Sequence, residues 1–73
     1  MKGVEFKRAV EKLAKARGLD STWNPSHGKG SHGRLTLSGK ATTLKDLKKE
    51  IGKGLLTEMC KQLGITKEEL TNV

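Results

Sequence analysis

Residues 34–44 have the sequence RLTLSGKATTL, in which two short segments of strand-like composition flank a glycine. The first five residues alternate polar and apolar side chains, which predicts a strand with Leu35 and Leu37 directed inwards. Ser38-Gly39-Lys40 is typical of a tight turn. The two β-branched threonines in 41–44 favour a further short strand. This stretch therefore predicts two neighbouring antiparallel strands, around which the other elements can be arranged.

An amphipathic helix is predicted before these strands, over residues 3–17. Its apolar side chains recur at helical spacing on one face, while lysines, an arginine and glutamates occupy the other. Gly18 follows the last turn, as expected of a helix stop. The apolar face consists of Phe6, Ala9, Val10, Leu13 and Ala14.

A second helix is predicted after the basic, glycine-interrupted segment 47–54. Gly64 ends this helix. The sequence Thr66-Lys67-Glu68-Glu69 has capping-box spacing, which predicts a short terminal helix or turn. One face of the second helix carries the apolar side chains of Leu55, Leu56, Met59, Cys60 and Leu63.

The segment 19–26 supplies the remaining strand, with Leu19 and Trp23 as apolar anchors. Asn24-Pro25 marks a turn or the end of an edge strand. The expected fold class is α+β: a single domain over 1–73 with the order α-β-β-β-α, a core over 3–65 and a short tail or helical turn over 66–73. Two helices should pack on one face of a three-stranded antiparallel sheet, leaving the other face open to bind a partner.

Charge indicates the kind of partner. The chain has 73 residues, with 15 Lys+Arg against 8 Asp+Glu and a formal net charge of +7. Such an excess favours an anionic partner, of which nucleic acid is the commonest, although an acidic protein or a membrane surface would also fit. The single cysteine, Cys60, rules out an intramolecular disulfide. With no membrane-length apolar run and no signal-peptide pattern, a soluble cytoplasmic protein is expected.

The densest group of chemically active residues is Gly28-Lys29-Gly30-Ser31-His32-Gly33. Glycines allow the backbone to approach a ligand closely, and a lysine suits phosphate. Histidine is the side chain best able to transfer protons near neutral pH. If the protein is an enzyme, its catalytic site is therefore expected here. A plain glycine-rich hairpin remains an alternative, and it is favoured over a nucleotide-binding loop because no parallel strand precedes the segment and no helix directly follows it.

The Gly30-Ser31-His32 motif stands in a wider pattern. Before it come the helix that ends at Gly18 and then Trp23. After it come the segment 48–56 and the end of the second helix, Lys61-Gln62-Leu63-Gly64-Ile65. Together they resemble the HicA family of bacterial toxins, from helix one to Ile65. The resemblance implies a fold like that of double-stranded-RNA-binding domains, cleavage of mRNA, a HicB-like antitoxin as partner, and neither metal nor cofactor. It also implies that His32 is the essential histidine.

One departure from the family concerns substrate contacts. Many members carry further histidines or aromatics just after the essential histidine, where this chain has Gly33 and Arg34.

Roles for the neighbours of His32 follow from their chemistry. His32 is expected to be a general base or acid, Lys29 to stabilise the phosphate, and Ser31 with Gly30 to support the site. The alternative is that His32 is a polar residue at a strand end in contact with solvent. His27 lies five positions earlier, an odd spacing that sends two strand side chains to opposite faces, so only a distorted loop could pair the two histidines.

The remaining candidates are cationic and aromatic. A patch for the RNA backbone is predicted beside the second helix, with a merely solvated basic face as the alternative. The lysines of the first helix are expected to be solvated. Trp23 is expected to belong to the core or its rim, and two histidines with one distant cysteine do not form a metal site. The patch would comprise Lys40, Lys45, Lys48, Lys49 and Lys53.

Two further functions stay open at this stage. A non-catalytic RNA-binding module would fit the charge and fold equally well, and a protein-interaction subunit would use the basic face to bind an acidic partner.

Overall fold

The computed structural model describes residues 1–25 and 32–71. Its elements follow the predicted order, and the predicted terminal helix or turn is a short helix. They are α1 (Gly3–Arg17), β1 (Ser21–Pro25), β2 (Gly33–Leu37), β3 (Lys40–Leu44), α2 (Lys53–Leu63) and α3 (Lys67–Thr71).

The three strands form one antiparallel sheet in the order β1-β2-β3. A two-residue turn joins β2 to β3, with φ of 50° at Ser38 and 84° at Gly39. Positive φ at both central residues is the geometry of a primed hairpin turn, whose twist matches that of the flanking strands. The strand predicted over 34–38 was therefore placed one residue too late, because Ser38 belongs to the turn. The strand predicted over 41–44 starts one residue earlier, at Lys40, and ends at Leu44 as predicted.

Left-handed glycines end both long helices. Gly18, with φ of 67°, follows α1, and Gly64, with φ of 73°, follows α2. After α1, the backbone N–H of Leu19 donates to the carbonyl of Ala14 at 2.8 Å. Both predicted helix stops are confirmed.

The predicted start of α3 is also confirmed. The backbone N–H of Thr66 donates to Glu69 Oε1 at 2.8 Å, and the N–H of Glu69 donates to Thr66 Oγ1 at 3.2 Å. These reciprocal bonds form a capping box. α3 also places Leu70 in the core, so the core extends beyond residue 65.

The core lies between the helices and one face of the sheet. Leu35 and Leu37 point inwards as predicted. Thr42 is the one buried polar residue among those described, and its hydroxyl donates to Gln62 of α2. The fully buried core side chains include Phe6, Val10, Leu13, Leu35, Leu37 and Leu44.

The other face of the sheet is open, as predicted. Thr22, Asn24, Arg34 and Thr43 are exposed, and no element within residues 1–25 and 32–71 covers them. Across this face the backbone N–H of Thr22 donates to Thr36 Oγ1 at 3.1 Å. This open face is polar, so its exposure to water costs little.

Two side chains have exposures that the sequence did not predict. Leu55 lies in the first turn of α2 and is 44% exposed, because it borders an open pocket rather than the packed core. Lys7 of α1 is half-buried rather than merely solvated. Its Nζ bonds to Glu11 at 3.0 Å and lies 5.9 Å from the ring centroid of Trp23. Trp23 itself packs partly buried against the core, which confirms its predicted place.

Candidate functional site

His32 lies at the end of the sheet where β2 begins and β3 finishes. Gly33 pairs with Leu44 in the β2–β3 register. The residues just beyond that pair are His32 on one strand and Lys45 on the other. The side chain of His32 is exposed at this end. The hairpin thus brings the histidine to the segment that leads into α2.

A pocket of about 360 Å³ opens beside His32. Its floor is apolar, and its rim carries charged side chains of both signs. The floor is formed by Leu44, Ile51 and Met59, with Leu55 at the edge. The charged rim comprises Lys45, Asp46, Lys49 and Glu50.

The segment after β3 is held against the start of α1 by backbone hydrogen bonds. The N–H of Gly3 donates to the carbonyl of Lys49 at 3.0 Å, and the N–H of Val4 donates to that of Leu47 at 2.9 Å. A Cβ on Gly3 would overlap the carbonyl oxygen of Asp46, so only glycine permits this approach. The otherwise unbonded amides of the α1 N-terminus therefore fix one wall of the pocket.

The predicted basic patch divides into parts. Lys45 and Lys49 line the pocket together with His32, whereas Lys48 and Lys53 are exposed and lie outside the pocket lining. Lys40 is at the opposite end of β3, where its side chain lies against Gly64 at the end of α2. Only two of the five lysines therefore border the same pocket as the histidine.

The two carboxylates moderate the positive charge of the rim. Asp46 Oδ1 accepts the backbone N–H of Lys48 at 2.9 Å, and Glu50 forms an ion pair with the amino group of Met1. The rim therefore offers both hydrogen-bond donors and acceptors.

Five candidate residues lie outside the described residues. They are His27, Gly28, Lys29, Gly30 and Ser31. Their predicted roles in phosphate binding, in support of the site and in pairing with His32 remain predictions.

Gly33, which follows His32, has a packing role. A Cβ on Gly33 would overlap the six-membered ring of Trp23, because the indole lies against the glycine backbone. The absence of a side chain thus admits the tryptophan at the end of the sheet. This explains in physical terms why the chain has a glycine directly after its candidate catalytic residue.

Other reactive groups in the described residues do not form a second site. Cys60 is buried in α2, and burial raises the pKa of its thiol, which disfavours the reactive thiolate. Within residues 1–25 and 32–71, no three His, Cys, Asp or Glu side chains come together to hold a metal ion. No helix in this part of the chain is long and apolar enough to cross a bilayer.

Sequence reasoning missed Asp46, Glu50 and Leu55 as neighbours of His32. The sequence did contain a signal for where His32 lies relative to the segment after β3. A two-residue turn at Ser38-Gly39 fixes the register of the whole hairpin. Counting outwards from that turn brings the pairing to Gly33 and Leu44 and so sets His32 near Lys45. Assigning Lys40 to the turn left the register undefined.

The fold and site define a small basic α+β domain with an exposed histidine beside a pocket rimmed by lysines and carboxylates. A family model described as the HicA toxin of bacterial toxin–antitoxin systems matches residues 8–65. "Probable mRNA interferase HicA" of Pseudomonas fluorescens (strain Pf0-1) is 41% identical over 66 residues, which cover 89% of this chain and 97% of that protein. No solved structure matches the chain.

The chain therefore belongs to the HicA toxin family. The matched segment begins in α1 and includes His32, the β2–β3 hairpin and all of α2. This confirms the family resemblance that the sequence motifs indicated.

Proposed function

We propose that this toxin is an endoribonuclease that cleaves mRNA, with His32 as a general acid or base. The observation that carries the proposal is the position of His32 at a pocket whose rim includes Lys45 and Lys49. The name of the relative, an mRNA interferase, supports the choice of RNA as substrate. The net charge of +7 suits the same substrate.

RNA supplies its own nucleophile, so no metal is needed to generate one. The 2′-oxygen attacks the adjacent phosphorus, its proton passes to a base, and a new O2′–P bond forms. The P–O5′ bond then breaks, and the departing O5′ takes a proton from an acid. The products are a 2′,3′-cyclic phosphate and a 5′-hydroxyl end.

His32 would perform one of these two proton transfers. Lys45 and Lys49 would stabilise the additional negative charge on the phosphate in the transition state. In the same proposal Lys29 is a further phosphate ligand, and Ser31 orients either the imidazole or the scissile group. The second proton-transfer group would be His27, a lysine or a water molecule.

The partner proposed for this surface is a HicB-like antitoxin. An acidic antitoxin would be attracted to a toxin with an excess of seven positive charges. Covering His32 is the simplest way to block the reaction, because the side chain is exposed and lines the pocket. Translation would resume once the toxin is bound.

The test is RNA cleavage by the purified protein in EDTA, compared with His32→Ala. The intact protein is expected to cleave and to leave 2′,3′-cyclic phosphate ends, and the variant to be slower by roughly 100-fold or more, as for loss of a general acid or base. In the same assay Lys49→Ala should slow cleavage more than Lys12→Ala, which removes an equal charge from the outer face of α1. Circular dichroism verifies that each variant is folded.

Three results would contradict parts of this proposal. Undiminished cleavage by His32→Ala would remove the histidine from the mechanism, and a requirement for added divalent metal would exclude the metal-free reaction. RNA binding without cleavage by the intact protein would favour a non-catalytic RNA-binding module.

A further inference from the structure

We propose that the pocket beside His32 binds one nucleobase of single-stranded RNA, next to the phosphate on which His32 acts. This inference rests on the proposed function and deepens it. It assigns the pocket residues a role in holding substrate, separate from proton transfer.

The floor of the pocket is held in place by the core, and its accessible apolar surface comes mainly from Leu55. Leu44 is 1% exposed, Met59 2% and Ile51 9%, so their side chains are fixed by the core behind them. Single-stranded RNA is recognised largely by unstacked bases that bury their faces against protein side chains. These buried side chains give a rigid support for the exposed Leu55, so the binding surface need not become ordered when a base is bound.

Leu55 extends this floor towards solvent. It is 44% exposed, and the only other large apolar side chain so exposed among the described residues is Leu19, at 36%. Leu55 lines the pocket and Leu19 does not. A ligand that covers a leucine at the edge of a pocket is stabilised, because apolar surface is removed from water.

The rim suits the polar parts of a nucleotide. Lys45 and Lys49 can bind the attached phosphate, and Asp46 and Glu50 can accept hydrogen bonds from the edge of a base. An apolar peptide side chain would cover the floor but would make no use of the positive charge that Lys45 and Lys49 place beside it. The volume of about 360 Å³ also lies within the range of small-ligand pockets, roughly 300–1,000 Å³.

The first test is an NMR titration of the full chain with AMP and, separately, with ribose 5-phosphate. AMP is expected to shift the methyl resonances of Leu55 and, more weakly, of Ile51, because adenine covers Leu55 and the accessible edge of Ile51. Ribose 5-phosphate has no base and should shift only signals near Lys45 and Lys49. Equal methyl shifts with both ligands, or none with AMP, would overturn the proposal.

A matched pair of variants makes the test quantitative. Leu55→Ala is expected to weaken AMP binding by about tenfold, since it removes half-buried apolar surface from the site. Leu19→Ala removes the same atoms from the other exposed leucine and should change the affinity by less than about twofold. Both positions are exposed at the surface, so both variants should fold.

This test is independent of turnover. AMP binding is measured without cleavage, so its failure removes the base pocket and leaves the His32 reaction to the EDTA assay. A protein without ribonuclease activity that still binds AMP through Leu55 would keep the pocket and lose the reaction. If Leu55→Ala weakened only the complex with an antitoxin, the pocket would be a protein-binding site and the nucleobase proposal would be wrong.

Discussion

Gly33 shows how one residue can position a site without taking part in its chemistry. It lies between the exposed His32 and the inward strand residues, and the ring of Trp23 packs directly on it. Lys7 lies near the same ring, 5.9 Å from its centroid. The start of β2 is therefore held by contacts to β1 and α1 as well as by its own hydrogen bonds.

Gly33→Ala is expected to destabilise the protein by about 1–3 kcal/mol, because the new methyl group must displace a large packed ring. The displacement should also reduce RNA cleavage, since His32 is the adjacent residue. Urea denaturation measures the first effect and the EDTA assay the second.

Gly54→Ala is the matched control for that substitution. Gly54 has open space around its Cβ position and lies inside α2, so the same change should stabilise the protein by about 0.5–1 kcal/mol. If the Gly33→Ala variant were as stable as the wild type, the inferred role of the tryptophan contact would be wrong.

Among the elements, the β2–β3 hairpin decides where the site forms. Its two-residue turn sets a register that continues from Leu37 opposite Lys40 to Gly33 opposite Leu44. A turn longer by one residue would reverse the facing of every later side chain on β3. The inward direction of Leu44 and the location of Lys45 beside His32 therefore both depend on the turn.

Ser38→Asn is expected to stabilise the hairpin. Ser38 adopts φ of 50°, a conformation that asparagine tolerates better than serine, and Asn-Gly is a preferred pair for this turn. The gain should be about 0.5–1 kcal/mol in the free energy of unfolding, measured by urea denaturation.

The opposite substitution supplies the control. Ser38→Val places a β-branched residue in the left-handed region and should lower stability. An unchanged or lower stability for the Ser38→Asn variant would contradict the assignment of the turn.

For the whole molecule, contacts between distant parts of the chain complete the structure. The start of α1 binds the segment that forms one wall of the pocket, and the end of α1 contacts α3 through an ion pair between Arg17 and Glu69. α3 also contributes Leu70 to the core. The first and last helices are thus tied to each other and, through α1, to the site.

The hydrogen bonds of Glu69 make stability depend on pH. The backbone N–H of Thr66, and then the guanidinium of Arg17, lower the pKa of Glu69 below its ordinary value of 4.5. In acid the folded state therefore binds fewer protons than the unfolded chain. The stabilisation is present above pH 4.5 and is lost as the pH falls through the lower folded-state pKa.

Glu69→Gln should accordingly destabilise the protein at neutral pH, and the difference from wild type should shrink in acid. Urea denaturation at neutral pH and at a pH below 4.5 measures the free energy of unfolding of both proteins. Glu68→Gln, in the same helical turn and without an ion pair in the described part of the chain, should have a smaller effect at both. A Glu69→Gln difference that did not depend on pH would rule out the carboxylate as its source.

Much of the fold follows from local patterns. The apolar stripe of α1, the glycines at 18 and 64 and the capping box at Thr66 act within a few residues, so each could be identified without the tertiary structure. The exposure of Leu55 could not, because apolar spacing alone does not reveal which part of a helix face meets the sheet and which part borders a pocket.

Only part of the candidate site could be predicted from local sequence patterns. His32 stood out by its chemistry and by its motif, but its neighbours Asp46, Lys49 and Glu50 come from a segment more than ten residues further along the chain. No periodic pattern links the two segments.

The amino-acid sequence by itself determined the order of the elements, the stops of α1 and α2, the basic charge and the membership of the HicA toxin family. These properties depend on short-range spacing, capping chemistry and composition, all of which can be read from neighbouring residues without knowing the tertiary structure. Only the tertiary structure decided that His32 shares a pocket with Lys45 and Lys49, and that Lys40 does not. The reason is that the pocket forms where the hairpin register and the hydrogen bonds from Gly3 and Val4 bring separate segments together.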